Sequence, residues 1–213
     1  MFPSVKDEGD NPGGALVSPR RDAFAALRHT NYRRFAVGWA LATFGVRMQG
    51  VAVTWEVYER TGSELALGFI GLAQALPVIL LALWGGHVAD TRDRKTVIVL
   101  SQLAMFACAA GLLCWSLWAW PTWLVYPLLA LTGVAKAFNS PARGSILPQL
   151  VPTGVFHNAV TWNTTFFQVA AIGGPVLAGL LTAKFNSAWP VCTLAALGAL
   201  MFAVSVVGVS PRP

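Results

Sequence analysis

The chain has 213 residues, of which 55% are hydrophobic and only 11% charged, with a formal net charge of +6 and a mean hydropathy of +0.59. A water-soluble domain carries about 25% charged residues, spread along its surface. Here no Asp, Glu, Lys or Arg occurs between Lys95 and Lys136, which excludes an ordinary soluble fold. The basic residues stand in clusters beside apolar runs, the placement that membrane orientation requires, so the positive charge calls for no nucleic-acid partner.

From the N-terminus, residues 1–20 mix Pro, Gly and both charges without an apolar core. They are expected to form a disordered cytoplasmic tail and not a cleaved signal peptide. Residues 21–34 form a basic segment with Phe24 and Leu27 on one side and Arg21 and Arg28 beside them. That pattern predicts an interfacial helix at the inner leaflet, with a basic linker as the alternative. Six apolar runs follow at 35–58, 65–88, 96–118, 123–138, 158–183 and 189–209, and 210–213 is a short cytoplasmic end. At about 1.5 Å per residue, runs of this length cross a hydrocarbon core of about 30 Å. The fourth run is the shortest as drawn, with a possible extension towards Ile146. Pro77, Gly173, Gly174 and Pro175 do not count against helix, because backbone in lipid has no water to bond and stays helical. The fold class read from the residues is an all-α membrane protein of six transmembrane helices.

Orientation follows from the basic residues. With the N-terminus inside, Arg20, Arg21, Arg28, Arg33, Arg34, Arg92, Arg94, Lys95, Arg143 and Arg212 fall on the cytoplasmic side, and only Arg60 and Lys184 fall outside. The positive-inside rule then places both termini in the cytoplasm of a cell whose inner (plasma) membrane the chain crosses. Trp118, Trp120, Trp123, Tyr126 and Trp189 suit an aromatic belt at the outer interface. Cys108, Cys114 and Cys192 lie inside apolar runs without metal-ligand spacing and are read as packing residues, so no metal and no cofactor is expected.

Charges within spans are functional by default. Arg47 lies about halfway along the first run and is expected to border a substrate or ion cavity, the alternative being an Arg bonded to carbonyls of a neighbouring span. Gln49, Gln74, Asn139, Asn163 and Gln168 are candidates for the same polar lining. Glu56 follows Arg47 by nine residues, which at about 100° per residue sets it on the opposite face; near the outer end, it is expected to reach water. No Asp or Glu lies deep in a run, so a proton-carrying carboxylate is not evident.

The connection after the second run reads Gly86-His87-Val88-Ala89-Asp90-Thr91-Arg92-Asp93-Arg94-Lys95. With Gly86, Asp90, Arg94 and Lys95 in place, it resembles the signature loop of the major facilitator superfamily. It departs from that loop at Thr91, where a basic residue is usual, and at Asp93, where Gly is usual. The second departure, together with Ala26–Phe35, Met48-Gln49, Gln74-Ala75-Leu76-Pro77 and Ala137–Arg143, is similar to the enterobactin-exporter-like and macrolide-efflux-like branch. Gly173-Gly174-Pro175 followed by Gly179 resembles the glycine-proline motif of antiporter-type members.

The resemblance implies the N-terminal six-helix half of the major facilitator fold, a 3+3 inverted repeat around a midplane site. It implies a conformational latch at Gly86, Asp90, Arg94 and Lys95, and a packing or hinge cluster at Gly173, Gly174, Pro175 and Gly179. The function it implies is efflux of a small organic molecule, a siderophore or drug, by alternating access with proton exchange. The partners are then the lipid bilayer, the substrate, protons and a second six-helix half. With its end at Pro213, the chain is expected to be one half, whether fragment, truncated product or pairing subunit. A non-transporting membrane scaffold is the alternative. An enzyme is disfavoured, since neither a Gly-x-Ser-x-Gly turn nor a His-Glu-x-x-His helix is present, and His29, His87 and His157 fall at the inner-facing ends.

Overall fold

The structure, a computed structural model, describes residues 23–208. The expected tail at 1–20, the basic residues Arg20, Arg21 and Arg212, and the end at 210–213 lie outside the described residues. Six long helices make up most of the rest: α1 (Thr30–Thr61), α2 (Glu64–Thr91), α3 (Arg94–Leu117), α4 (Val125–Leu150), α5 (Phe156–Phe185) and α6 (Trp189–Val207). No strand occurs among the described residues. Five of the helices are long and apolar enough to cross a membrane, and α4 is the exception.

Local chemistry sets the helix ends. Gly62, at φ 59°, turns left-handed and donates its amide to the Tyr58 carbonyl, ending α1; Asn186, at φ 49°, ends α5 in the same conformation. Such positions favour Gly or Asn because a larger Cβ crowds the backbone there. Ser63 caps α2 through the Ala66 amide. Asp93 caps α3, accepting from the Thr96 amide at 3.0 Å and its hydroxyl at 2.6 Å.

Two segments differ from the sequence reading. Within the basic segment 21–34, the described residues 23–34 do not form one helix: Ala26–Arg28 forms a single 3₁₀ turn, and α1 has already begun at Thr30. Packing is the reason. Tyr32 and Phe35 are fully buried, and Asn158 and Trp162 of α5 hold the turn by hydrogen bonds to the Ala26 amide and the Ala23 carbonyl. The fourth helix continues past 138 to Leu150, through Pro141 and Pro148. Its apolar run stops early because Asn139, Ser140 and Arg143 face a recess instead of lipid, and the backbone remains helical because the membrane offers no other hydrogen-bond partners.

The helices pack in the order α2, α4, α3, α6, α1, α5, each chiefly against its neighbours in that series. Exchanging α1, α2 and α3 for α4, α5 and α6 maps the series onto itself. Close approach depends on small residues. A methyl on Gly85 of α2 would sit 2.2 Å from the Ala137 carbonyl oxygen of α4, and one on Gly198 of α6 would sit 2.8 Å from the Leu41 carbonyl oxygen of α1. One large core cluster, around Tyr32, Phe35, Ile98, Ile146 and Phe202, lies at the end that carries Arg92, Arg94 and Lys95, here called the basic end. A second, around Val53, Val57, Leu112, Trp115 and Val191, lies at the opposite end. Trp118, Trp120 and Trp123 are exposed at that opposite end. Between the two clusters the helices leave room.

Candidate functional site

That room is a recess of about 340 Å³, lined by α1 (Trp39, Ala42, Thr43, Val46, Arg47), α2 (Val78), α3 (Gln102, Met105), α4 (Lys136, Asn139, Ser140, Arg143) and α5 (Phe167). The α4 residues recur at i, i+3, i+4 and i+7, which is one face of a helix. Residues 39, 42, 43 and 46 do the same on α1, with Arg47 beside them. Helix α5 reaches α1 here because Gly174 has no side chain: a methyl on it would come within 2.7 Å of Arg47 Cβ.

Three cations share the recess, each held by a neutral partner. The Arg47 guanidinium lies 4.6 Å from the Phe167 ring centroid, and that of Arg143 lies 4.5 Å from the Trp39 ring centroid. Lys136 donates to Gln74 Oε1 at 3.2 Å. Arg47 and Lys136 line the recess from α1 and α4. Asn139 donates to Ser101 Oγ at 2.7 Å, which ties α4 to α3 behind the recess. Gln102 is buried, and its side-chain oxygen has no partner among the described residues. No carboxylate lines the recess. Among the described residues, Glu56, Glu59 and Glu64 stand near the tryptophan end, and Asp90 and Asp93 near the basic end.

The sequence-derived candidates separate accordingly. Arg47 and Asn139 line the recess, and Gln74 reaches it through Lys136. Gln49 is buried away from it beside Cys192 of α6. Asn163 stands by the Tyr32 hydroxyl, at 3.5 Å, and Gln168 is exposed on the outer side of α5 next to Thr161, Thr164 and Thr165. The sequence reading missed Lys136, which falls inside the fourth run, and Arg143, placed in a connection. Trp39, Gln102 and Phe167 were missed as well. The helical spacing of 136, 139, 140 and 143 was the available signal.

At the basic end, Arg94 donates to the Ser145 carbonyl at 2.9 Å and Lys95 to the Val207 carbonyl at 2.7 Å, joining the start of α3 to α4 and α6. Asp93 takes the capping role, and Asp90 is exposed one turn before it. A methyl on Gly86 would meet nothing within 4 Å, and neither would one on Gly179, whereas Gly173 faces Phe44 at 3.2 Å. Pro175 lies within α5 and is exposed.

The opposite end holds a second polar cluster. Glu56 is buried and not open to water as expected. It accepts from Arg60, from the Ser116 hydroxyl at 2.6 Å and from the Ala188 amide at 2.7 Å, so a carboxylate on α1 caps α6. Arg60 lies 4.1 Å over the Trp115 ring and reaches the Ser116 and Trp120 carbonyls. With both Glu56 oxygens engaged, this cluster binds helices to one another.

A family profile for transmembrane secretion effectors matches residues 21–211. A staphyloferrin A transporter of Staphylococcus aureus is 25% identical over 139 residues, 64% of this chain and 35% of its own length. Macrolide efflux protein A of Streptococcus pyogenes is 25% identical over 173 residues, 79% of this chain and 42% of its own. YfiS of Bacillus subtilis, described as an uncharacterized major-facilitator-type transporter, is 28% identical over 138 residues, 63% of this chain and 31% of its own. The chain thus spans about a third to two-fifths of the length of these curated relatives. With its apolar helices and a match over nearly its whole length, this multi-pass membrane protein belongs to the transmembrane secretion effector family of the major facilitator superfamily.

Proposed function

We propose that the chain is the N-terminal six-helix half of a secondary transporter that exports a small organic molecule, a siderophore or a drug, in exchange for protons. The observation that carries this reading is the recess: a charged, open hollow at mid-height in a bundle that is otherwise apolar towards lipid. Polar groups in a membrane are retained where they meet protein or water, and they mark a solute path. The self-mapping packing series supports a 3+3 inverted repeat, in which α1 and α4 are equivalent helices flanking the site. The names of the relatives, a staphyloferrin A transporter and macrolide efflux proteins, support the substrate class.

Both termini are cytoplasmic in this reading, and the basic end faces the cytoplasm. There Gly86, Asp90, Arg94 and Lys95 form a latch whose free side, Asp90 and Gly86, engages a second six-helix half, in the same chain or another. The exposed Gln168 on α5 supports such a partner, since a side-chain amide facing lipid has nothing to bond. Alternating access is a rocking of the two halves about the recess. The coupling acid is assigned to the second half, because Glu56, the buried carboxylate among the described residues, is engaged by Arg60, Ser116 and Ala188.

Efflux of a labelled macrolide or siderophore from inverted vesicles, with and without an imposed pH gradient, tests this reading. The chain paired with a second half is expected to give gradient-dependent transport, which Arg47→Gln and Asp90→Asn reduce without changing insertion. The chain alone inserts but does not transport. Correct insertion with no transport of either compound in the paired assembly would favour a scaffold instead.

A further inference from the structure

Resting on the reading of the recess as a transport site, we infer that it selects organic anions, with a carboxylate seated between Arg47 and Lys136 beside an apolar body. Three side chains contribute positive charge to one hollow, and none contributes negative charge. Their partners within the chain are neutral: the faces of Phe167 and Trp39, and the amide of Gln74. A ring face attracts a guanidinium without neutralising it, and the guanidinium edge remains free to donate. Arg47 and Lys136 line the same hollow from α1 and α4, so an anion placed between them can accept a charge-assisted hydrogen bond from each.

The remaining lining fixes the rest of the molecule. Val46, Val78, Met105 and Phe167 form apolar walls, which suit a hydrocarbon or aromatic body and would gain nothing from an inorganic anion. Arg143 follows Lys136 by seven residues, about 10 Å along α4, and offers a second anionic group a place towards the basic end. Among the described residues the nearest acids on the chain lie at the bundle's ends, where Glu56 is already bonded and Asp93 caps a helix. They supply no counter-charge at mid-height, and a cationic solute would meet like charge there.

Calorimetric titration of the whole chain in detergent, with micelle-only titrations subtracted, tests the inference with three probes of one shape: 2-naphthoate, 2-naphthamide and 2-naphthylmethylammonium. Naphthoate is expected to bind about tenfold or more tighter than the amide, with the ammonium weakest. Added salt should narrow the gap. Arg47→Gln and Lys136→Gln should each reduce the preference about threefold or more, while Lys136→Arg retains it, which separates lost charge from lost folding. Absence of naphthoate binding by the monodisperse chain would overturn the inference. So would equal binding of amide and acid, a preference that survives the Arg47→Gln/Lys136→Gln pair, or displacement of naphthoate by equimolar inorganic phosphate. The readout is binding, so it fails independently of transport. A chain that prefers naphthoate in an assembly that moves nothing refutes the transport reading alone, and an active exporter without the preference refutes this inference alone.

Discussion

Two adjacent glycines on α2 make opposite predictions. A methyl on Gly85 would lie 2.2 Å from the Ala137 carbonyl oxygen, and one on Gly86 would meet nothing within 4 Å. A carbon and a carbonyl oxygen rest at about 3.3–3.6 Å, so Gly85→Ala must push α2 and α4 apart by roughly 1 Å at that crossing. Gly133 of α4, where a methyl would lie 2.6 Å from the Gln74 carbonyl oxygen, allows no compensating approach further along the same pair. A gap of 0.5–1 Å forfeits about a quarter to a half of each dispersion contact it opens, and overpacking of this kind costs about 1–3 kcal/mol. Since α2 packs chiefly on α4, the loss falls on its main attachment. Gly86→Ala should be neutral or should stabilise by up to about 1 kcal/mol through helix propensity. Thermal unfolding of the two variants in detergent compares them directly. Gly85→Ala should melt several degrees below the parent and Gly86→Ala at or above it. Coincident melting curves would refute the close α2–α4 crossing.

The Glu56 cluster predicts that Glu56→Leu leaves the Ala188 amide without its acceptor and Arg60 without its counter-charge, at about 1–3 kcal/mol for the unsatisfied group, while the Glu56→Leu/Arg60→Leu pair is milder than the sum of the single changes; a double-mutant cycle by detergent unfolding measures this. Hydrogen bonds from the Thr96 hydroxyl and amide hold the Asp93 carboxyl below its ordinary 3.8. Its cap therefore stabilises α3 above that value and loses strength as pH falls through it towards the depressed folded value. Thr96 amide exchange should accelerate only in acid, and Asp93→Asn, which still caps, should remove the pH dependence. Reporter tags inserted after Gly62 and after Arg92 should report opposite sides of the membrane; the same compartment for both would undo the helix count between them.

The helices lying against lipid were legible because lipid demands unbroken apolar runs, which is why α2, with exposed Leu65, Ile79, Leu80 and Leu83, was drawn almost to its ends. Hydropathy measures what a helix shows to lipid, and it fails where a helix faces something else. On α4 the recess side chains Lys136, Asn139 and Arg143 lower the average, so the run seemed to stop at 138 although the backbone continues to Leu150. Conversely, Gln49 is a polar residue in a span that faces a neighbouring helix and not the recess. Residue type and depth do not separate those cases, but helical phase relative to Lys136 or Arg47 does. The glycines show the same limit: Gly85 and Gly86 are equivalent as letters, and only the crossing with α4 tells them apart.

The cost of the recess explains its location. A Lys or Arg at the centre of a lone transmembrane helix costs about 2.5–3.5 kcal/mol on insertion scales, so Arg47 and Lys136 together cost roughly 5–7 kcal/mol, comparable with the whole stability of many domains. Lipid-facing positions would bear that cost in full. Helix α1 lies between α6 and α5, and α4 between α2 and α3, so each has neighbours on two sides and turns its remaining charged stripe to the hollow. There an aromatic face and the Gln74 side-chain amide lower the cost of the two cations. Helices α2 and α5, at the two ends of the packing series, have one long neighbour each and carry no Lys or Arg through their apolar stretches. Of the four helices with two main neighbours, α1 and α4 carry the mid-height charge, and both turn it to the recess. At mid-height it is of one sign, since Glu56 of α1 lies at the tryptophan end.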